Sequence, residues 1–368
     1  MLFRLGVKED PSEFYDYREQ LALLGRGLRD SITRMIVVKG VRRIGKSSLV
    51  RVGLRLHGVK LYAVFDARTV PLLTSDTVYE VVARGLEELL RRSGGLGRHL
   101  RELLARVEGL SVAGFEVRVT RRSPDLVLRV VEALDKAAEA TGEHMVLVFD
   151  EAQDMAVVPG FARLLAHIYD YHQRVKLVLA GSEVGLLDRL LGRGNPRAPL
   201  YGRPYLEIEM PRLSREESLG FLEQGFTELG LEWPRAYMEE AVDRLDGIPG
   251  WLTAYGYYAY ATGSHREALE RVLEEGASLV QAELERFLAN RLQARTRYLA
   301  LLECLAAGPL TWSELKTCLE TRIARSLNKA QFTRYLRELR DYSFVEKAGR
   351  EYRLADPLIR YVLRRMRT

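Results

Sequence analysis

Eight residues near the start of the chain, Gly40-Val41-Arg42-Arg43-Ile44-Gly45-Lys46-Ser47, satisfy the pattern GxxxxGK[ST] at every fixed position. Ahead of them Arg34-Met35-Ile36-Val37-Val38-Lys39 is a β-branched stretch suited to a buried strand, and behind them Ser48 to Leu56 places apolar residues at helical spacing. Strand, glycine turn and helix is the order that makes an anion cradle. The glycines let the backbone curl until successive N–H groups point inward, and the helix N-terminus adds its partial positive charge. In such a loop Lys46 reaches the β- and γ-phosphates of a nucleotide and the Ser47 hydroxyl ligates Mg²⁺. Gly40, Val41, Arg42, Arg43, Ile44, Gly45 and Ser48 complete the expected phosphate-binding set, and ATP or ADP with Mg²⁺ is the expected ligand.

A chain of 368 residues exceeds what one core organises, so two or three domains are expected. Its 47% hydrophobic and 29% charged residues suit a globular protein. No apolar run approaches the ~20 residues of a membrane span, so no membrane partner is expected. The first ten residues turn charged too early for a secretory signal, which points to the cytoplasm. Cys304 and Cys318 fit neither a zinc ribbon nor a CxxC pair; no disulfide is expected, and both read as small core residues.

Short apolar runs alternate with helical stretches over the first 290 or so residues, as in an α/β domain with a mostly parallel sheet flanked by helices. The expected strands are Met35–Val38, Leu61–Phe65, Met145–Phe149, Lys176–Ala180 and Tyr205–Ile208. Between Gly94 and Ser123 a glycine turn, a short helix and the alternation at Phe115–Val119 suggest a β-hairpin excursion. From Ser214, with Glu217 placed to complete a capping box, the chain turns helical. After residue 293 three helices and a two-stranded hairpin follow in winged helix-turn-helix order. The expected domains are 1–212 (phosphate-loop α/β), 213–293 (helical lid) and 294–368 (winged helix).

Met145-Val146-Leu147-Val148-Phe149-Asp150-Glu151 is an apolar strand ending in two acids. Downstream of a phosphate loop, Asp150 would hold Mg²⁺ through water and Glu151 would polarise the attacking water. Lys176 to Ala180 runs into Gly181-Ser182-Glu183, where Ser182 is either a polar sensor of the γ-phosphate or the N-cap of the next helix. Arg203, before the following strand, would either neutralise charge on the γ-phosphate, from its own or a neighbouring subunit of a homo-oligomer, or form a surface salt bridge.

Together these segments resemble the archaeal ATPases of the signal-transduction branch of the AAA+ superfamily, which are similar to origin-recognition initiators and to STAND switches. The resemblance spans nearly the whole chain. It rests also on Tyr15-Asp16-Tyr17-Arg18-Glu19, Phe65-Asp66-Ala67-Arg68, Asp150-Glu151-Ala152-Gln153, Pro199-Leu200-Tyr201-Gly202-Arg203, Gly247-Ile248-Pro249-Gly250-Trp251-Leu252 and Tyr352-Arg353-Leu354-Ala355-Asp356-Pro357-Leu358. It implies Mg-dependent ATP hydrolysis driving a conformational switch, with Arg18 on the adenine side and Pro249 touching nucleotide from the lid. Tyr17 interrupts the family's usual order before Arg18, and the lid lacks the arginine sensor of other AAA+ proteins. The alternative is a nucleotide-gated regulatory or protein-interaction switch with little hydrolysis and no DNA contact.

Residues 295–368 hold 16 Lys and Arg against 8 Asp and Glu, while the rest of the chain carries 40 against 42. The excess favours a polyanion, duplex DNA, as partner of that segment. On the helix expected over Asn328–Tyr342, Arg334, Arg337 and Arg340 lie away from the apolar face, either as groove readers or tied up in Arg334–Glu338 and Arg337–Asp341 pairs.

Overall fold

Five fully parallel strands form the central sheet: β1 (Met35–Lys39), β2 (Tyr62–Asp66), β5 (Met145–Asp150), β6 (Val175–Gly181) and β7 (Leu206–Glu209), in the order β2-β5-β6-β1-β7. The computed structural model describes residues 1–123 and 125–366; the last two residues of the expected third domain, Arg367 and Thr368, lie outside the described residues. Every residue of β1, β5 and β6 is buried, which is why each reads in sequence as a largely apolar run, interrupted inside β6 only by Lys176, whose ammonium donates to the Gly27 carbonyl at 2.8 Å. Side chains still alternate in their destination. Ile36, Val38, Val148 and Val178 enter one core, and Met35, Val37, Leu147 and Leu179 enter the other, beneath helices Val78–Arg92, Leu126–Thr141 and Phe161–Tyr171.

β6 lies between β1 and β5, so the carboxyl ends of three neighbouring strands carry the glycine loop, Ser182 and the acidic pair side by side. Ligand sites of open parallel sheets gather at this edge. The excursion is a hairpin of β3 (Leu110–Ala113) and β4 (Glu116–Val119), held by Val117 N–H donating to Glu87 at 3.1 Å.

After the sheet, the capping box of Ser214 and Glu217 opens helix Arg215–Glu228, and three more helices end in the 25-residue His265–Ala289. Next come helices Arg295–Ala306, Trp312–Ile323 and Lys329–Asp341, then a three-stranded sheet of β8 (Leu310–Thr311), β9 (Val345–Ala348) and β10 (Glu351–Leu354) in the order β8-β10-β9. The two-residue β8 was not expected, because two residues carry no readable period. Helix Ile359–Arg365 packs back on the long helix, where Gly276 leaves room for Leu358: a Cβ there would lie 2.4 Å from the leucine. The first apolar core therefore runs without a break from the sheet through the helical region into the winged domain.

One expectation is corrected and one open alternative is removed. Cys304 and Cys318 form a disulfide, because the facing helices bring their Cα atoms to 6.1 Å. The Arg334–Glu338 and Arg337–Asp341 pairs do not form: Glu338 accepts from Arg291 at 2.9 Å and from the Tyr298 hydroxyl at 2.6 Å, and Asp341 pairs with Arg189. Tertiary partners outcompete helical neighbours worth only ~0.3 kcal/mol.

Candidate active site at the carboxyl edge of the sheet

The loop after β1 turns into helix Lys46–Leu56 through Gly45, whose φ of 102° suits a residue without a side chain. Lys46 is only 5% exposed and donates to the Gly40 and Val41 carbonyls at 3.0 Å each, lying across the cradle. Burial pushes its pKa down to about 8, against the opposing pull of Glu151 and Asp150.

Ser47 donates to Asp150 at 2.5 Å. Burial raises the Asp150 carboxyl above its ordinary value while Arg68 pulls it back. The Arg68 guanidinium reaches Asp150 at 2.6 Å, Asp66 at 2.8 Å and the Ser47 hydroxyl at 3.2 Å. A hydroxyl and carboxylates converging on one point make the oxygen set that a hard divalent cation prefers, and a guanidinium already stands there as a cation. The donor chemistry therefore fits Mg²⁺.

Glu151 follows in a left-handed turn with φ 51°. Its Oε2 accepts from Ser182 N–H at 3.0 Å, the Ser182 hydroxyl at 2.7 Å and Gln153 at 2.6 Å. Burial alone would raise this carboxyl, but Lys46 and those three donors outweigh it and hold the pKa below the usual value. Ser182 is thus the partner of Glu151, and the next helix takes Glu183 as its N-cap.

The other end of the cleft is apolar, lined by Val7, Phe14, Tyr17, Ile44 and Pro249. Pro249 opens helix Pro249–Thr262, as its fixed φ suits. Tyr17 is buried and donates to the Pro211 carbonyl at 2.8 Å. Successive left-handed residues, Asp16 and Tyr17, turn the chain so that Tyr17 enters the cleft lining and Arg18 is left exposed as the first residue of helix Arg18–Arg29. Ser48 faces the N-terminal segment, accepting from Lys8 N–H at 2.9 Å.

Arg203 does not join the cleft; it pairs with Asp170, its Nε 3.0 Å from the carboxylate. Arg42 and Arg43 point outward from the loop. Arg42 contacts Glu183, Glu283 of the long helix at 3.5 Å, and the Tyr342 carbonyl at 3.1 Å. Arg43 contacts Glu283 at 2.8 Å and Asp356 at 3.7 Å, and lies 4.4 Å over the Trp251 ring. The indole N–H of Trp251 donates to Asp356 at 3.2 Å, and burial pushes that carboxyl's pKa up against the pull of Arg43. Sequence reasoning placed neither Asp66 nor Arg68 in the site, although both stand in the quoted Phe65-Asp66-Ala67-Arg68 segment. The available signal was an acid at the end of a strand paired with the acidic strand. Glu283 and Asp356 carried no local signal.

Sheet, loop and acidic pair define a phosphate-loop nucleoside-triphosphatase carrying a winged helix. A family model described as an ATPase domain predominantly from Archaea matches residues 14–254, and the chain belongs to that family: it is an ATPase. A model of the winged helix-turn-helix domain at the C-terminus of MCM proteins matches residues 292–355. A Walker-type ATPase of Pyrococcus abyssi is 27% identical, covering 99% of this chain and 100% of that one with a TM-score of 0.78. An uncharacterized protein of Methanocaldococcus jannaschii is 23% identical over 251 residues, 65% of this chain and 51% of that one, so the chain spans about half that relative's length. The Orc1 protein of Aeropyrum pernix in complex with DNA is similar with a TM-score of 0.47 at 17% identity over 96% and 94% of the two chains, too distant to bear on function. Among the described residues no helix is long and apolar enough to cross a membrane.

Proposed function

We propose that ATP turnover in this cleft works a switch that changes how the winged helix is held against the ATPase core. One observation carries the proposal: the Arg42 guanidinium, anchored in the phosphate loop, touches the sensor segment at Glu183, the long helix at Glu283 and the winged domain at Tyr342. Loop, helical lid and winged domain (1–212, 213–293 and 294–368) meet at a single side chain.

In this cycle Lys46 leaves the loop carbonyls for the β- and γ-phosphates, and Ser47 and Asp150 hold the Mg²⁺ site. A divalent cation bound there neutralises charge on the transferring phosphoryl group. Glu151 orients water for in-line attack, and Ser182 fixes the Glu151 carboxylate. Tyr17 and Pro249 face the base. Ser182 leads directly to Glu183, bonded to Arg42, and to Val184, whose N–H donates to Ser343 of the winged domain at 3.2 Å. A shift of Glu151 toward the γ-phosphate therefore reaches the winged domain within three residues of chain.

Duplex DNA is the proposed partner of that domain. Lys329, Arg334, Arg337 and Arg340 on one helix and Lys347 and Arg350 on the wing are exposed, and the acids beside them, Glu338 and Asp341, are engaged elsewhere. Arg203, engaged by Asp170, takes no part.

Hydrogen exchange on the full chain tests the switch. With Mg²⁺ and ATP the amides of Val184 and of residues 342–344 should exchange faster than without nucleotide, and unchanged protection there would refute the coupling.

A further inference from the structure

We propose that Arg68 is a resident counter-ion of the ATPase site: its guanidinium holds the place of a divalent cation on Ser47, Asp66 and Asp150, and it must be displaced when the metal enters with nucleotide. The inference rests on the proposed nucleotide site and deepens it.

The geometry begins with strand register. β2 and β5 run parallel with Asp66 opposite Asp150, so two carboxylates end adjacent strands about 4.8 Å apart. The Asp150 side chain is 6% exposed. Two like charges so placed, one of them buried, repel strongly unless a cation lies between them. Arg68 supplies it from two residues beyond Asp66, in the short turn Ala67–Thr69, which Asp66 caps by accepting from the Arg68 N–H at 2.9 Å.

One nitrogen, Nη2, then meets three oxygens: Asp150 Oδ2 at 2.6 Å, Asp66 Oδ2 at 2.8 Å and Ser47 Oγ at 3.2 Å. Arginine does not lose its proton in proteins, so this occupant cannot be neutralised in place; it can only be exchanged. Its surroundings allow exchange. Lys46 is 5% exposed, but the Arg68 side chain is 48% exposed and lines the same cleft as Lys46, Ser47 and Glu151. Once displaced, the guanidinium remains tethered through its own turn within the cleft that takes the phosphates. Arg68 is on this account a positioning residue that keeps the site folded and charge-balanced, and its competition weakens metal binding.

The probe is Mn²⁺, followed by electron paramagnetic resonance on the full chain in the presence of ADP. Arg68→Gln should bind Mn²⁺ at least about tenfold more tightly than wild type, because one charge-assisted competitor has gone. Arg68→Lys, which keeps a charge but loses the second tie that the Arg68 Nε makes to Asp66 at 2.9 Å, should fall between the two. If Arg68→Gln does not fold, Arg68→Lys carries the test alone by binding Mn²⁺ more tightly than wild type. Unchanged or weaker Mn²⁺ binding in the folded variants would overturn the proposal. Calorimetry with ADP separates the two levels: wild type that binds no ADP refutes the nucleotide site itself, whereas ADP binding with an unshifted Mn²⁺ affinity refutes only the exchange.

Discussion

Replacing Glu151 by glutamine separates the chemistry of the site from its architecture. All three donors that reach this side chain converge on Oε2: the Ser182 amide, the Ser182 hydroxyl and Gln153. A carboxamide can put its own oxygen in that position and keep all three bonds, so Glu151→Gln should preserve the fold and nucleotide affinity. Its nitrogen then takes the place of Oε1, turning an acceptor of the water's proton into a donor. Loss of a general base costs about 100- to 10,000-fold in rate, equivalent to about 3 to 5 kcal/mol of barrier. One side effect needs control. Glu151 helps keep Lys46 protonated, so its loss pushes the lysine pKa down further, and the comparison belongs well below about pH 8. Phosphate release at saturating ATP, beside calorimetric titration with ADP, gives both numbers. Turnover within tenfold of wild type at equal affinity would remove Glu151 as the base, and a collapse of affinity would make its main role the holding of the Ser182 segment.

Lys46 gives a pH dependence of its own. Burial pushes its pKa down to about 8, so above that pH nucleotide binding must draw in a proton. Metal-free ADP affinity should fall by up to tenfold per pH unit beyond it, with proton uptake visible as a dependence of the calorimetric heat on buffer; an affinity flat between about pH 7 and 9.5 contradicts the assignment. Lys46→Ala should abolish nucleotide binding altogether, and retained affinity would disprove the placement of the phosphates. Cys304 and Cys318, 14 residues apart, close a loop whose cross-link is worth about 3 kcal/mol on the chain-entropy account. Cys318→Ser and reductant should each lower the unfolding midpoint of the winged domain, and a wild type indifferent to reductant would show that no bond forms. For the full chain on duplex DNA, anisotropy titrations at several salt concentrations should give a linear log–log dependence, and Arg337→Ala should reduce its slope by about one; no association at low salt would remove DNA as the partner.

The inner strands β1, β5 and β6 were legible to within a residue because a parallel strand buried on both faces is a largely apolar run, and the edge strand β7 was legible from the alternation of Leu206-Glu207-Ile208-Glu209, which is only partly buried. The phosphate loop was legible because its chemistry is local: the glycines, Lys46 and Ser47 lie in one eight-residue segment. Asp150, Glu151 and Ser182 followed from their places at strand ends. What escaped depends on residues far apart in the chain. Arg42 meets Tyr342 across 300 positions, and nothing near either announces the other. For Glu338 and Asp341 the sequence offered only helical neighbours, as one of two alternatives, yet Arg291 and Arg189 hold them. The Arg18 expectation came from the family resemblance alone, in which Tyr17 interrupts the usual order; the paired left-handed residues Asp16 and Tyr17 put Tyr17 in the cleft lining and leave Arg18 exposed.

The apolar interior that continues from the sheet through the long helix to Leu358 and Ile359 limits how far the parts can travel. A wide clamshell opening would wet that shared interior, at roughly 25 cal/mol for every square ångström uncovered. Motion that keeps it dry is rolling and sliding of helices by an ångström or two, steered at the rim by the arginines of the glycine turn. A distance probe spanning core and wing should accordingly record a short, stiff stroke, one suited to presenting or withdrawing a basic face and ill suited to hauling a strand over long distances.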